Sequence, residues 1–130
     1  VTKFEAAVTE LLTNGHGVRF VATGDSMYPS IRSGEHVHVA PANAASLRVG
    51  DVVLARAHRG LTAHRVVQVA LNTITTRGDN ALERDAALSH KDVLGRITLV
   101  ERGGSQIAVP SAPARFRVAA RRVARIVLSL

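Results

Sequence analysis

The chain has 130 residues, a formal net charge of +7 and no Cys, so it fits one domain with a real core and excludes a disulfide framework, a thiolate metal site and a cysteine nucleophile. Hydrophobic residues make up 46% and aromatics only 3%. A core of Val, Leu, Ala and Ile follows, and the β-branched residues among them favour strands.

Thr2-Lys3-Phe4-Glu5 fits a capping box, and Phe4, Ala7, Val8, Leu11 and Leu12 follow at helical spacing until Asn14-Gly15 stops the run. An amphipathic helix over 3–14 is expected. Val18, Phe20 and Ala22 alternate with Arg19 and Val21, which predicts a strand. That strand delivers the chain to Thr23-Gly24-Asp25-Ser26-Met27-Tyr28-Pro29, a turn with a serine behind a flexible glycine and ahead of a proline. His36-Val37-His38-Val39 alternates again and ends at Pro41. A loop over 42–47 and a turn at Arg48-Val49-Gly50-Asp51 lead to a strand over 52–56.

Arg59-Gly60 is the expected hairpin connection to a strand over 61–69, and Leu71-Asn72 the next, to a strand over 73–77. Residues 78–88 read as an irregular loop, and 93–101 with 106–109 as a last hairpin across Gly103-Gly104. Closely spaced strands joined by tight turns predict a mainly β fold, an antiparallel coiled sheet or partial barrel rather than βαβ units.

Residues 1–113 are expected to form the domain. Pro110 and Pro113 bracket a linker, after which Phe116, Ala119, Ala120, Val123, Val127 and Leu130 share one face of a predicted basic amphipathic helix over 114–130. The charge is concentrated there: residues 1–114 hold 12 Lys+Arg against 10 Asp+Glu, and the remaining +5 comes from Arg115, Arg117, Arg121, Arg122 and Arg125. Such a helix docks on its own domain, a partner protein or a membrane surface. Clustered arginine without a base-reading context argues against a nucleic-acid partner. No run approaches the ~20 apolar residues that span a bilayer, and Glu5 and Glu10 interrupt the N-terminal apolar positions, so a cytoplasmic or peripheral protein is expected.

A serine hydroxyl needs a neighbour that accepts its proton before it acts as a nucleophile. Lysine is scarce, with only Lys3 and Lys91, and neither falls on a central strand. Histidine is better supplied, and His64 stands out because it lies inside the longest strand-like run. His36 and His38 share one face of a strand, a spacing able to hold a metal, but no acidic or third His ligand lies near them in sequence. Neither a metal site nor a cofactor is expected. Asp79 and Asp85 both follow the strand after His64, and either could orient an imidazole. Asp79 in Gly78-Asp79-Asn80 is equally well suited to bonding its own turn.

Ser26-Met27-x-Pro29 with Gly34-Glu35, then Gly50-Asp51-Val52-Val53, His64-Arg65-Val66, Gly78-Asp79-Asn80 with Asp85, and Asp92-Val93-Leu94-Gly95-Arg96 together resemble the signal peptidase I and SOS-repressor superfamily of serine peptidases. The resemblance covers 18–99, and its histidine in place of a lysine is similar to the archaeal and endoplasmic-reticulum signal peptidases. It implies Ser26 as nucleophile, His64 as general base and Asp85 as the triad aspartate, with Asp79 structural or supporting. Gly24 stands where many signal peptidases carry a serine that helps bind the oxyanion, which leaves the Ser26 N–H as main donor beside Met27. Asp25 adjoins the nucleophile, and Glu35 replaces the usual Asp.

The expected activity is endopeptidase cleavage of an extended peptide after a small residue. The alternative is a catalytically weak or inactive peptide-binding module of the same fold that docks on a partner or a membrane surface. A self-cleaving repressor domain ranks last, since no helix-turn-helix precedes the fold and no lysine base is in place.

Overall fold

The computed structural model describes residues 2–110. The helix expected over 114–130 lies outside the described residues. Helix α1 (Lys3–Thr13) begins where the Thr2 hydroxyl accepts the Glu5 N–H at 3.1 Å, and Asn14 caps its end. Only Val8 and Leu12 of the apolar stripe are buried; Leu11 stays exposed, and Phe4 packs edge-on against Phe20 at 5.5 Å.

Eight antiparallel strands follow: β1 (Val18–Val21), β2 (His36–Pro41), β3 (Val52–Ala57), β4 (Gly60–Val69), β5 (Thr73–Arg77), β6 (Leu88–Ser89), β7 (Val93–Arg102) and β8 (Ser105–Ala108). They form one sheet in the order β1-β2-β7-β3-β4-β5-β6, with β8 paired to the far half of β7. The sheet stays open, correcting the partial barrel expected from sequence. Its terminal strands are short, β6 having only two residues, and β1 and β6 do not pair to close it. Two smaller corrections concern turns. His58 and Arg59 form the tip between β3 and β4, with Gly60 at φ +107° opening β4. The 78–88 loop ends in β6 rather than remaining irregular throughout.

The last hairpin turns at Gly103 and Gly104, whose φ values of +58° and +78° suit the mirror-image turn that matches strand twist. The central strand β3 is buried on both faces from Val52 to Ala55. Val52 and Leu54 join a core with α1, Met27, Ile31, Val37, Val39 and Val100, whereas Val53 joins Val66, Ile74, Val93 and Leu47 on the other side. The alternation of strand side chains thus divides the core in two. Among the described residues, no helix is long and apolar enough to cross a membrane.

Two charged clusters tie the first strands to β7. Glu101 accepts from Arg19 and from His38, at 2.5 and 2.6 Å, and those bonds drive its carboxyl down to about 2. Arg102 donates to both carboxylate oxygens of Glu35 and reaches the carbonyls of Pro29 and Ser30 at 3.3 Å. It therefore pins the long 22–35 loop to the sheet.

The Arg102 guanidinium holds the Glu35 carboxyl below its ordinary value of 4.5. A carboxyl lowered in the folded state contributes stability that is complete above the unfolded value and lost as pH falls through the lowered one. Glu35→Gln is therefore expected to cost about 1 kcal/mol at pH 7. The gap from the parent protein should narrow as pH drops below 4.5, as read by urea unfolding at each pH.

Candidate active site

Ser26 sits in the 22–35 loop between β1 and β2. Two backbone bonds close the base of that loop, Ala22 N–H to Glu35 O and Gly34 N–H to Ala22 O, both 2.8 Å. Met27 and Ile31 are each only 4% exposed and anchor its interior in the core. The Tyr28–Pro29 peptide between them is cis. With Met27 fixed below, Ser26 is left exposed at the surface.

His64 lies on β4 directly opposite Val53 of β3, on the sheet face away from α1. Its Nε2 is 3.1 Å from Ser26 Oγ and its Nδ1 is 2.6 Å from Asp85 Oδ2. An ionised carboxylate can only accept, so Nδ1 carries the proton in that bond. Nε2 then offers a lone pair to the Ser26 hydroxyl. The Asp85 carboxylate also accepts the Thr76 hydroxyl at 2.8 Å, and the Asp85 N–H donates to the Thr76 carbonyl at 2.8 Å. Thr76 is 3% exposed, so it grips Asp85 from within the sheet.

Asp79 takes a different position. It lies beside His64's strand neighbour Arg65, which points to the opposite face as strand alternation requires. Arg65 Nε and Nη2 donate to the two Asp79 oxygens at 2.8 Å each, and Ser30 Oγ donates to Asp79 Oδ2 at 2.7 Å. Arg65 Nη1 donates to the Gly50 carbonyl at 2.7 Å and also reaches that of Pro110. Arg65 and Asp79 are 0% and 2% exposed. This buried pair joins β4, the turn after β5 and the Ser26 loop.

Glycines leave room for these approaches. A Cβ on Gly78 would stand 2.6 Å from the Ser26 carbonyl oxygen and 3.3 Å from His64 Nε2. The residue after Gly78 also engages the serine loop: the Asp79 N–H points at Met27 Sδ, 3.4 Å away. Asn80 donates from its backbone to Ser26 O at 2.9 Å and from its side chain to Asp25 O at 3.1 Å. Gly24 adopts φ +87°, where a serine would be strained. Its N–H donates to Ser33 Oγ at 3.2 Å. Asp25 is exposed.

Of the residues singled out from sequence, Ser26, His64 and Asp85 are hydrogen-bonded in series, while Asp79, Met27 and Gly24 support the loops around them. Thr76, Ser30, Arg65 and Asn80 had no assigned role. Arg65 carried a legible signal, since it shares strand parity with Leu61 and Ala63, which pack against the core on that face. His38 is engaged by Glu101 rather than by Ser26.

Removing one member of a buried ion pair leaves the other uncompensated. Asp79→Ala should therefore lower the unfolding free energy by about 3–5 kcal/mol, measured by urea denaturation. Replacing Arg65 and Asp79 together by Met and Leu should recover a large part of that loss.

The family model described as Peptidase S24-like matches residues 3–98. No curated protein matches the chain.

Proposed function

The chain belongs to the Peptidase S24-like family, and from that premise we propose that it is a serine endopeptidase of the signal-peptidase type with a histidine base. The observation that carries the reading is the unbroken series Asp85 Oδ2 to His64 Nδ1 at 2.6 Å and His64 Nε2 to Ser26 Oγ at 3.1 Å. Hydrogen-bond reach between nucleophile and base, with the base oriented by a third group, is what this chemistry requires.

An extended peptide adds along the free edge of β4. From Gly60 to His64 that strand pairs only with β3, because β5 begins its pairing at Arg65. Backbone bonds supply affinity along such an edge, and shallow pockets select a small residue beside Ser26. Ser26 Oγ attacks the carbonyl carbon as its proton passes to His64 Nε2, and the C–N bond then breaks as that proton passes to the leaving amine. Water attacks the acyl-enzyme while His64 accepts its proton, and the ester bond breaks with the proton returned to Ser26 Oγ. Asp85 holds the imidazole in its Nδ1–H form and faces the cation that develops, and Thr76 is a positioning residue for Asp85. The Ser26 N–H is the oxyanion donor at a position where Gly24 brings no hydroxyl.

Gly24 favours a second reading, a peptide-binding module with weak chemistry, because losing one oxyanion donor costs about 10²-fold or more in rate. Either reading suits a cytoplasmic or peripheral protein that meets extended polypeptide.

Labelling with a serine-directed fluorophosphonate separates the two. Wild type should label and Ser26→Ala should not, with His64→Ala and Asp85→Asn slowed by about 10³–10⁴-fold. Gly78→Ala should also label at least ~10-fold more slowly, since its methyl displaces the Ser26 loop. Labelling that survives Ser26→Ala, or a folded wild type that never labels, rules out the enzyme.

A further inference from the structure

A groove of about 690 Å³ opens beside His64 and runs along the β3–β4 hairpin to its tip. Its floor is the sheet face that bears His64. Strand pairing puts Val53 opposite His64, Ala55 opposite Thr62 and Ala57 opposite Gly60, so side chains shrink steadily away from the serine. Residues 85–88 and Asp92 form the other wall. At a rise of about 3.3 Å per residue, the distance from His64 to Arg59 matches four or five residues of extended peptide.

The charges in this groove are unevenly engaged. Asp85 is bonded to His64 and Thr76, and Asp92 faces Arg56 Nη2 at 3.6 Å. Arg56 also donates to the Lys91 carbonyl at 2.9 Å. Arg59 is exposed at the tip, next to His58, and among the described residues no hydrogen bond or ion pair engages it. The far end of the groove carries Arg59 and His58, with the Glu5 carboxylate against Gly60 on the α1 side, while its middle is small and apolar.

We propose that this groove is a subsite for an acidic side chain carried four or five residues from the bond that lies at Ser26, and that Arg59 is the residue that selects it. The proposal rests on the peptide-binding edge described above and adds the substrate class: extended peptides with a small residue at the serine and a carboxylate at the hairpin tip. The alanine and glycine floor lets the intervening residues lie flat, so selection falls on the terminal charge. An exposed pair of this kind is weak and is screened by salt.

The test uses fluorescein-labelled peptides with a central Ala-Ala and one Glu walked from five residues before to five residues after it, each matched to a Gln control. Binding is read by anisotropy on Ser26→Ala protein, and cleavage by mass spectrometry on wild type. Glu at four or five residues from the centre should bind roughly three- to fivefold more tightly than Gln at low salt. The preference should vanish or invert in Arg59→Glu and persist in Arg48→Glu, which reverses an exposed charge outside the groove. Equal binding of Glu and Gln peptides at every position, or the same loss in Arg48→Glu, overturns the subsite. Cleavage by wild type without any acidic preference refutes the subsite and leaves the peptidase intact. An Arg59-dependent preference without cleavage does the reverse, and failure of every peptide to bind overturns both.

Discussion

The geometry around Ser26 depends on a buried ion pair that does not itself touch the serine. Arg65 and Asp79 are both almost wholly removed from water, which is costly unless their hydrogen-bonding capacity is used. Here it is used fully enough to matter: Arg65 reaches Asp79, Ser30, Gly50 and Pro110. Those partners come from the turn after β5, the Ser26 loop, the turn before β3 and the end of the described chain. A guanidinium with a fixed fork of donors specifies their relative positions in a way that an apolar side chain of similar volume cannot. His64 is the next residue on the same strand, so fixing Arg65 on one face fixes the direction of the imidazole on the other.

The serine loop is held from its other side by a more exposed interaction. Arg102 binds the Glu35 carboxylate and two carbonyls of the loop, while Met27 and Ile31 fill the core beneath. Between these anchors the Gly78-Asp79-Asn80 turn lies directly against Ser26. Gly78 permits the close approach, and Asn80 donates to the carbonyls of Asp25 and Ser26. The same turn thus carries an acid that orders the core and an amide that orders the Ser26 loop. Asp25, which adjoins Ser26, is an exposed residue whose carbonyl, rather than its carboxylate, makes the contact with Asn80.

Much of the fold was legible because its local signals agree. Alternation in Val18–Val21 and His36–Pro41, the paired glycines at 103 and 104, and the Thr2 cap each mark an element by its own chemistry. The openness of the sheet was not legible, since closure depends on whether the two end strands meet and no local pattern encodes that. The exposure of Phe4 and Leu11 was hidden for a related reason: helical spacing gives a face, but the width of sheet available decides how much of it is covered. At the candidate site, residue types suggested Ser26 and His64 but left Asp79 and Asp85 open; the family resemblance pointed to Asp85, and the path of the 78–88 loop brings its carboxylate to His64. Thr76 and Ser30 were invisible because a hydroxyl in a strand or turn is ordinary until its carboxylate partner is placed beside it.

The proposed histidine base would account for the order around Asp85, whose carboxylate is held by both Thr76 and His64. A lysine base becomes neutral through burial and desolvation, and it has a single nitrogen that needs no choice of tautomer. An imidazole has two nitrogens, and it serves as a base toward the serine only when the proton is on the other one. Something must therefore accept from Nδ1, and that acceptor must itself be held. The loop after β5 supplies Asp85, the Asp85 N–H closes on the Thr76 carbonyl, and the Thr76 hydroxyl returns to the carboxylate. The arrangement fastens the acid to the strand adjoining β4, so acid and imidazole are referred to one rigid sheet. A lysine at position 64 would leave Asp85 as a salt-bridge partner that stabilises the protonated ammonium, opposing the neutral form the chemistry needs. In the proposed reading, the identity of the base and the presence of its acid are one physical choice, made jointly by residues 21 positions apart.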